Sequence, residues 1–344
     1  MQFGCQCHII PSSVLEKLSH DTKIELNARR AFADTIELDQ SLRKLRASHA
    51  ALVAPTAAFA ATALAATPSI TVYDCGQSSS LPGTPVSNPG TSADATIKRT
   101  FAVTTDLIAF YQTVFGRNSI DGRGMTLLSS VHYGVGYNNA FWTGGQMVYG
   151  DGDGQIFLDF TASDDVLGHE LTHGVTQNTA GLIYRDEPGA LNESMSDVFG
   201  SMFRQWRAKQ DVTKADWLIG ADIMGPAAKA RNYKCLRDMA NPGAAHCLSP
   251  QPSHMSNYEQ GGDVHTNSGI PNKAFHSIAM SLGGKSWEVA GKIWYAALTS
   301  PKAKKSMKIK AFATLTVASA QTLFPTKPTI AAQVKAGWKG VGVL

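Results

Sequence analysis

The sequence predicts an α+β protein of two lobes, the first rich in short strands and the second mainly helical. Between Met125 and Phe160 seven glycines (Gly134, Gly136, Gly144, Gly145, Gly150, Gly152 and Gly154) cut the chain into runs too short for helices. Beyond residue 162 apolar residues recur at helical spacing, over 163–181, 189–209, 268–282, 286–299 and 307–323. With 344 residues, 43% of them hydrophobic and 17% charged, the chain can fill two cores and is neither disordered nor fibrous.

From the N-terminus, residues 12–18 and 22–46 carry helical spacing behind Pro11, which predicts a small helical prosegment over 1–50. Charges run through its first 46 residues, so no apolar signal core is readable there. Residues 51–75 are Ala-rich and cut by Pro55 and Pro68, the composition of a processing linker; a membrane span needs about 20 strongly apolar residues. A Pro/Gly/Ser-rich loop follows over 76–90. Residues 94–115 read as a helix with Leu107, Phe110, Tyr111 and Val114 on one face. The expected lobes are 76–184 and 185–344, with no internal repeat. Net charge is only +4, too mild for a nucleic-acid partner, although nine lysines and no acid follow Glu288. That run is expected to be a solvated basic face. Of the five cysteines, Cys235 and Cys247 flank a loop and suit a disulfide in an oxidising compartment.

His169-Glu170-Leu171-Thr172-His173 is the most chemically specific stretch. Positions four apart share a helix face, so both imidazoles can serve one metal ion while Glu170 stands beside them as a base. A catalytic zinc takes three protein ligands and keeps one position open. Glu193, twenty residues after His173 in a second helical pattern, supplies the third ligand. Asp197, one turn further, can orient a ligating histidine, His169 being the expected one. A second histidine, in Asp263-Val264-His265-Thr266-Asn267, opens another helix. Near the zinc, His265 would stabilise an oxyanion, and Asp263 could hold it charged.

Together these motifs resemble the thermolysin-like neutral metalloproteases, of the short-propeptide type. Asn138-Asn139-Ala140-Phe141-Trp142, Gln146 through Gly154, Thr179 through Tyr184, the Glu193 motif and Cys7-His8-Ile9-Ile10-Pro11 carry the likeness, closely over 110–282. It implies a zinc cleft between the two lobes and one zinc ion held by His169, His173 and Glu193, the ligand set of thermolysin itself. It implies Glu170 as the base on the attacking water, Tyr184 and His265 as oxyanion donors, and Asn139 and Ala140 as binders of peptide backbone. Arg237 would grip a substrate carbonyl, and Phe157, Val166 and Leu236 would line an apolar pocket, so cleavage is expected before Leu, Phe, Ile or Val. Asp165 and Asp216 match calcium ligands, but Arg204, Leu218 and Ala221 stand where acidic ligands would be. Two calcium ions are not expected there, and one is the most the set allows.

The expected product is a secreted zinc endopeptidase made as a latent precursor, acting on protein or peptide substrates. Its own propeptide is the intramolecular inhibitor, with self-cleavage near Ala51-Leu52-Val53 or before Phe59, and with Cys5 or Cys7 as a cap on the zinc. The absence of a readable signal leaves an intracellular role as the alternative location. A zinc scaffold that binds without cutting needs no Glu170, Tyr184 and His265 together. A zinc exopeptidase would keep the chemistry and close the ends of the cleft.

Overall fold

The structure is a computed structural model that describes residues 7–50 and 68–344, the side chains at 43 and 45–50 excepted. Both expected self-cleavage positions lie outside the described residues.

The chain opens with β1 (Cys7–His8), α1 (Ser12–His20) and α2 (Leu26–Ala50). Next come β2 (Ile70–Asp74), β3 (Thr84–Pro85), α3 (Ala95–Phe115), β4 (Leu127–Val131), β5 (Ala140–Trp142) and β6 (Met147–Tyr149). These strands form one mixed sheet in the order β1-β5-β6-β4-β2-β3. The segment 70–74, assigned to the linker by composition, is instead a sheet strand parallel to β4. Its Ile70, Val72 and Tyr73 suit a pleated surface, and Val72 is fully buried. Helix α3 lies within a residue of its expected bounds because its ends are chemically marked. Asp94 caps the N–H groups of Thr96 and Ile97, and Gly116 closes the other end in the left-handed conformation.

The helical lobe follows with α4 (Asp164–Gln177), α5 (Asp186–Arg207), β7 (Leu218–Ile219), α6 (Pro226–Ala230) and β8 (Arg237–Asp238). It ends with α7 (Val264–Asn267), α8 (Gly269–Leu282), α9 (Ala290–Leu298), α10 (Ile309–Leu323) and α11 (Pro328–Gly340). The last helix was not expected, although Pro328 starts it and Ile330, Ala331, Val334 and Trp338 form its buried face. Trp338 stacks on Trp294 at 5.6 Å and so ties α11 to α9. All nine lysines after Glu288 are exposed. No helix among the described residues is long and apolar enough to cross a membrane.

Two close approaches set the geometry of the cleft. A Cβ on Gly168 would stand 2.8 Å from the Cα of Gly200, so α4 and α5 touch backbone to backbone there. That contact brings the two histidines of α4 over the carboxylates of α5. A Cβ on Gly189 would meet Val264 at 2.4 Å, which draws α7 and its His265 onto the start of α5. Every residue of α4 from Asp165 to Thr176 is buried, polar ones included. Buried polar groups at that density need partners, and here they find them in a site.

Candidate active site

Three donor atoms converge at the α4–α5 contact. The Nε2 atoms of His169 and His173 are 3.0 Å apart, and each stands 3.4 Å from an oxygen of Glu193. Donors held tetrahedrally at about 2.0–2.1 Å from one zinc ion stand roughly 3.3 Å apart, so the triangle fits that ion. Two ring nitrogens that face each other so closely are repelled unless a proton or a cation lies between them. Glu193 Oε2 is buried without a hydrogen-bond partner, another sign of a cation site.

The outer nitrogens are fixed as zinc histidines require. His169 Nδ1 meets Asp197 Oδ1 at 2.9 Å and His173 Nδ1 meets Asn192 Oδ1 at 2.9 Å. Asp197 is itself clamped by Arg237, at 2.8 and 2.7 Å, and by Asn272 at 2.9 Å. Burial alone would raise the Asp197 carboxyl, but Arg237 and His169 hold it well below the usual carboxylate range. Asn192 and Asn272 were missed in the sequence. Asn192 precedes Glu193 and Asn272 follows His265 by seven residues, so position alone could have flagged both.

Glu170 is fully buried beside the triangle. Burial pushes its carboxyl up to about 8, with His169 pulling it down and Glu193 pushing it further up. A carboxyl tuned near neutrality can both take and return a proton. Tyr184 donates to Glu193, and its hydroxyl lies 3.1 Å from His265 Nε2. Burial, then Glu193, raise the phenol well above 10, so it remains a neutral donor. His265 faces Asp263 Oδ1 through Nδ1 at 2.6 Å and a backbone carbonyl through Nε2 at 2.6 Å. Two acceptors require two N–H groups, so the ring is an imidazolium. Burial opposes that charge, while Glu193 and Asp263 outweigh it and raise the pKa.

The carbonyl on His265 belongs to His8. Strand β1 runs antiparallel to β5, with Cys7 opposite Trp142 and His8 opposite Phe141. Beyond it Ile9 N donates to Ala140 O at 3.1 Å, and Arg237 donates to Ile9 O at 3.0 Å. Ile10 exchanges two hydrogen bonds with the Asn139 amide, at 3.0 and 3.2 Å. Ile9 is fully buried in one apolar cluster with Phe157, Val166 and Leu236. The rest of the prosegment braces this strand. Asp39 of α2 pairs with His8 at 3.1 Å and bonds Asn139 at 3.2 Å, and Phe32 packs edge-on against Phe157. The Cys7 sulfur lies within 4.8 Å of donor atoms of His173 and Glu193. Cys7 is disulfide-bonded, however, and so offers no thiolate to a metal. Cys5 lies outside the described residues.

Asp165 and Asp216 do come together, but around a side chain. Arg204 Nη1 lies 3.3 Å from Asp165 and 3.2 Å from Asp216, and Nη2 lies 3.2 Å from Asp222. The guanidinium occupies the centre that the resemblance would give to calcium.

Two family models cover most of the chain. The catalytic domain of the thermolysin metallopeptidases matches residues 62–177, and their alpha-helical domain matches residues 180–343. An extracellular metalloprotease of Pectobacterium carotovorum subsp. carotovorum is 44% identical over 283 residues, covering 79% of this chain and 80% of its own. Protease PrtS of Photorhabdus sp. (strain Az29) is 43% identical over 288 residues, covering 79% and 76%. The solved precursor of protealysin, a metalloproteinase from Serratia proteamaculans, superposes with a TM-score of 0.85 at 38% identity. It covers 98% of this chain and 100% of its own. With the cleft geometry and both domain models in agreement, this chain belongs to the thermolysin family of metallopeptidases.

Proposed function

We propose that the chain is a zinc endopeptidase made as a latent, self-processing precursor, with residues 1–50 as its propeptide, and that it cuts before Leu, Phe, Ile or Val. The observation that carries this reading is the register of the N-terminal strand. His8, Ile9 and Ile10 each place a backbone group on a side chain expected to bind a peptide substrate: His8 O on His265, Ile9 O on Arg237, Ile10 on Asn139. Adding a strand to a sheet edge is a general way to bind extended peptides. In this register the bond at the reactive position is His8–Ile9, and the first side chain beyond it is apolar and buried. The propeptide is thus docked as a substrate would be, which supports its role as inhibitor and the preference for apolar residues.

His169, His173 and Glu193 would hold the zinc, which when bound polarises the scissile carbonyl and lowers the pKa of water. Glu170 takes a proton from the attacking water and delivers it to the leaving nitrogen. His265, as a cation, and Tyr184 donate to the oxygen on which charge develops. Arg237 fixes the next carbonyl and at the same time anchors Asp197, which holds His169 in place. Catalysis here depends on buried groups whose positions are set before substrate arrives. Secretion follows the extracellular relative.

Incubating the purified precursor with and without a chelator, then sequencing the new N-terminus, tests the reading. Wild type should be cut near Ala51-Leu52-Val53 or before Phe59, and Glu170→Ala or chelated protein should stay intact. Equal processing of all three would refute self-cleavage.

A further inference from the structure

We propose that Cys235, His246 and Cys247 form a second metal site, for zinc or an ion of similar softness, at the root of strand β8. Cys235 and Cys247 face each other across a backbone bridge, with Leu248 N donating to Cys235 O at 2.9 Å. Both thiols are free and buried, with their sulfurs 3.9 Å apart. A disulfide requires about 2.05 Å. Two thiolates on one tetrahedral zinc ion, each at about 2.3 Å, stand roughly 3.8 Å apart. The observed spacing, that of a thiol–thiol contact, is also the one that two thiolates on a shared ion would keep.

The third ligand is placed and oriented. A ring nitrogen of His246 lies within 4.8 Å of both sulfurs. Its Nε2 meets Asp238 Oδ2 at 3.0 Å, which leaves Nδ1 to take the ion, and a carboxylate on the far nitrogen of a ligating imidazole is the usual support of a metal site. Asp238 is held in turn by the N–H groups of Ala240 and Asn241 at 2.8 and 2.9 Å, and Cys247 N bonds Ala244 O at 3.0 Å. Turns therefore hold the donors together before any ion arrives. Thiolate and imidazole select zinc or copper(I) over magnesium or calcium. Binding a dication displaces the two thiol protons to solvent, and the resulting cluster is neutral, as its apolar neighbours Leu218, Ala221 and Ala244 require. His246 is partly exposed, which gives the ion an entry path. An ion here would clasp the loop to the segment that carries Leu236 and Arg237, and so stiffen the side of the cleft that grips the substrate.

The test is metal stoichiometry on the full chain, purified under a phosphine reductant, loaded with zinc and dialysed. Wild type should hold about two zinc ions per chain, and Cys247→Ser about one with proteolysis retained. With cobalt in place of zinc, and Cys7→Ser in every protein so that its reduced thiol cannot reach the first site, wild type and Glu193→Gln should show a thiolate-to-metal band in the near ultraviolet that Cys247→Ser lacks. His246→Ala leaves both thiols in place and should weaken the second site by about tenfold or more, which covers a failure of the serine variant to fold. One zinc per chain in wild type overturns the proposal, whether the thiols are then free or joined as a Cys235–Cys247 disulfide by mass mapping. So does a second zinc that survives both substitutions.

Discussion

Arg204→Ala removes the cation that Asp165, Asp216 and Asp222 share, and the size of the loss can be worked from their surroundings. Breaking a fully buried ion pair typically costs about 3–5 kcal/mol. Asp165 is fully buried but keeps two other donors, Ser163 Oγ and Gly220 N, both at 2.9 Å. Asp216 and Asp222 are about half exposed, where each pair contributes only about 0–1 kcal/mol. The expected loss is therefore about 2–3 kcal/mol, a fall of roughly 3–4 °C in midpoint for a protein of this size. Because the variant leaves three carboxylates facing an empty centre, millimolar calcium should restore part of the loss. The wild type, with its guanidinium in that centre, should not respond. Thermal melts of both proteins with calcium and with chelator, on the Glu170→Ala background to prevent self-digestion, read this out. A wild type that gains as much from calcium as the variant, or a variant that loses less than about 1 kcal/mol, would refute the idea that arginine stands in for the ion.

Other consequences follow from the same geometry. Burial raises the Asp165 pKa to about 6, above its ordinary 3.8, against the pull of Arg204. The folded value being the higher, its contribution to stability is complete below about pH 4 and lost as pH rises through about 6. Wild type should thus lose up to roughly 3 kcal/mol relative to Asp165→Asn across that window, measured by urea midpoints. Asp197→Asn leaves His169 without its anionic partner and Arg237 without its anchor; zinc affinity should fall about 10–100-fold by competition with a chromophoric chelator, and an unchanged affinity would count against the clamp. Ile9→Ala empties a buried contact of the docked strand and should weaken docking by about 2–3 kcal/mol. Freshly purified precursor of that variant should hydrolyse a short peptide at once, where wild type shows a lag.

The catalytic core was legible because helical spacing converts directly into geometry. His169 and His173 share a face by periodicity alone, and Asp197 follows Glu193 by one turn. Even the lobe architecture follows from where glycine punctuation stops. What periodicity cannot give is which distant groups meet. Arg237 was expected to grip substrate, and it does contact a peptide carbonyl, but its bidentate hold on Asp197 links two segments forty residues apart. Strand β1 is two residues long and pairs with β5 far along the chain, so no local pattern marks it; β2, whose residues suit a strand, was lost in a segment whose Ala and Pro content dominates its composition. The absence of acidic residues at 204, 218 and 221 was visible, whereas the recruitment of Asp222 to Arg204 was not.

Endopeptidase chemistry at this site is read out by mapping its products. Processed wild type and Glu170→Gln would be incubated with casein and the new termini identified by mass spectrometry. Wild type should make internal cuts with Leu, Phe, Ile or Val on the new N-terminal side, abolished by chelator, and the variant none. Trimming of single residues from chain ends, or the same internal cuts from Glu170→Gln, would contradict it.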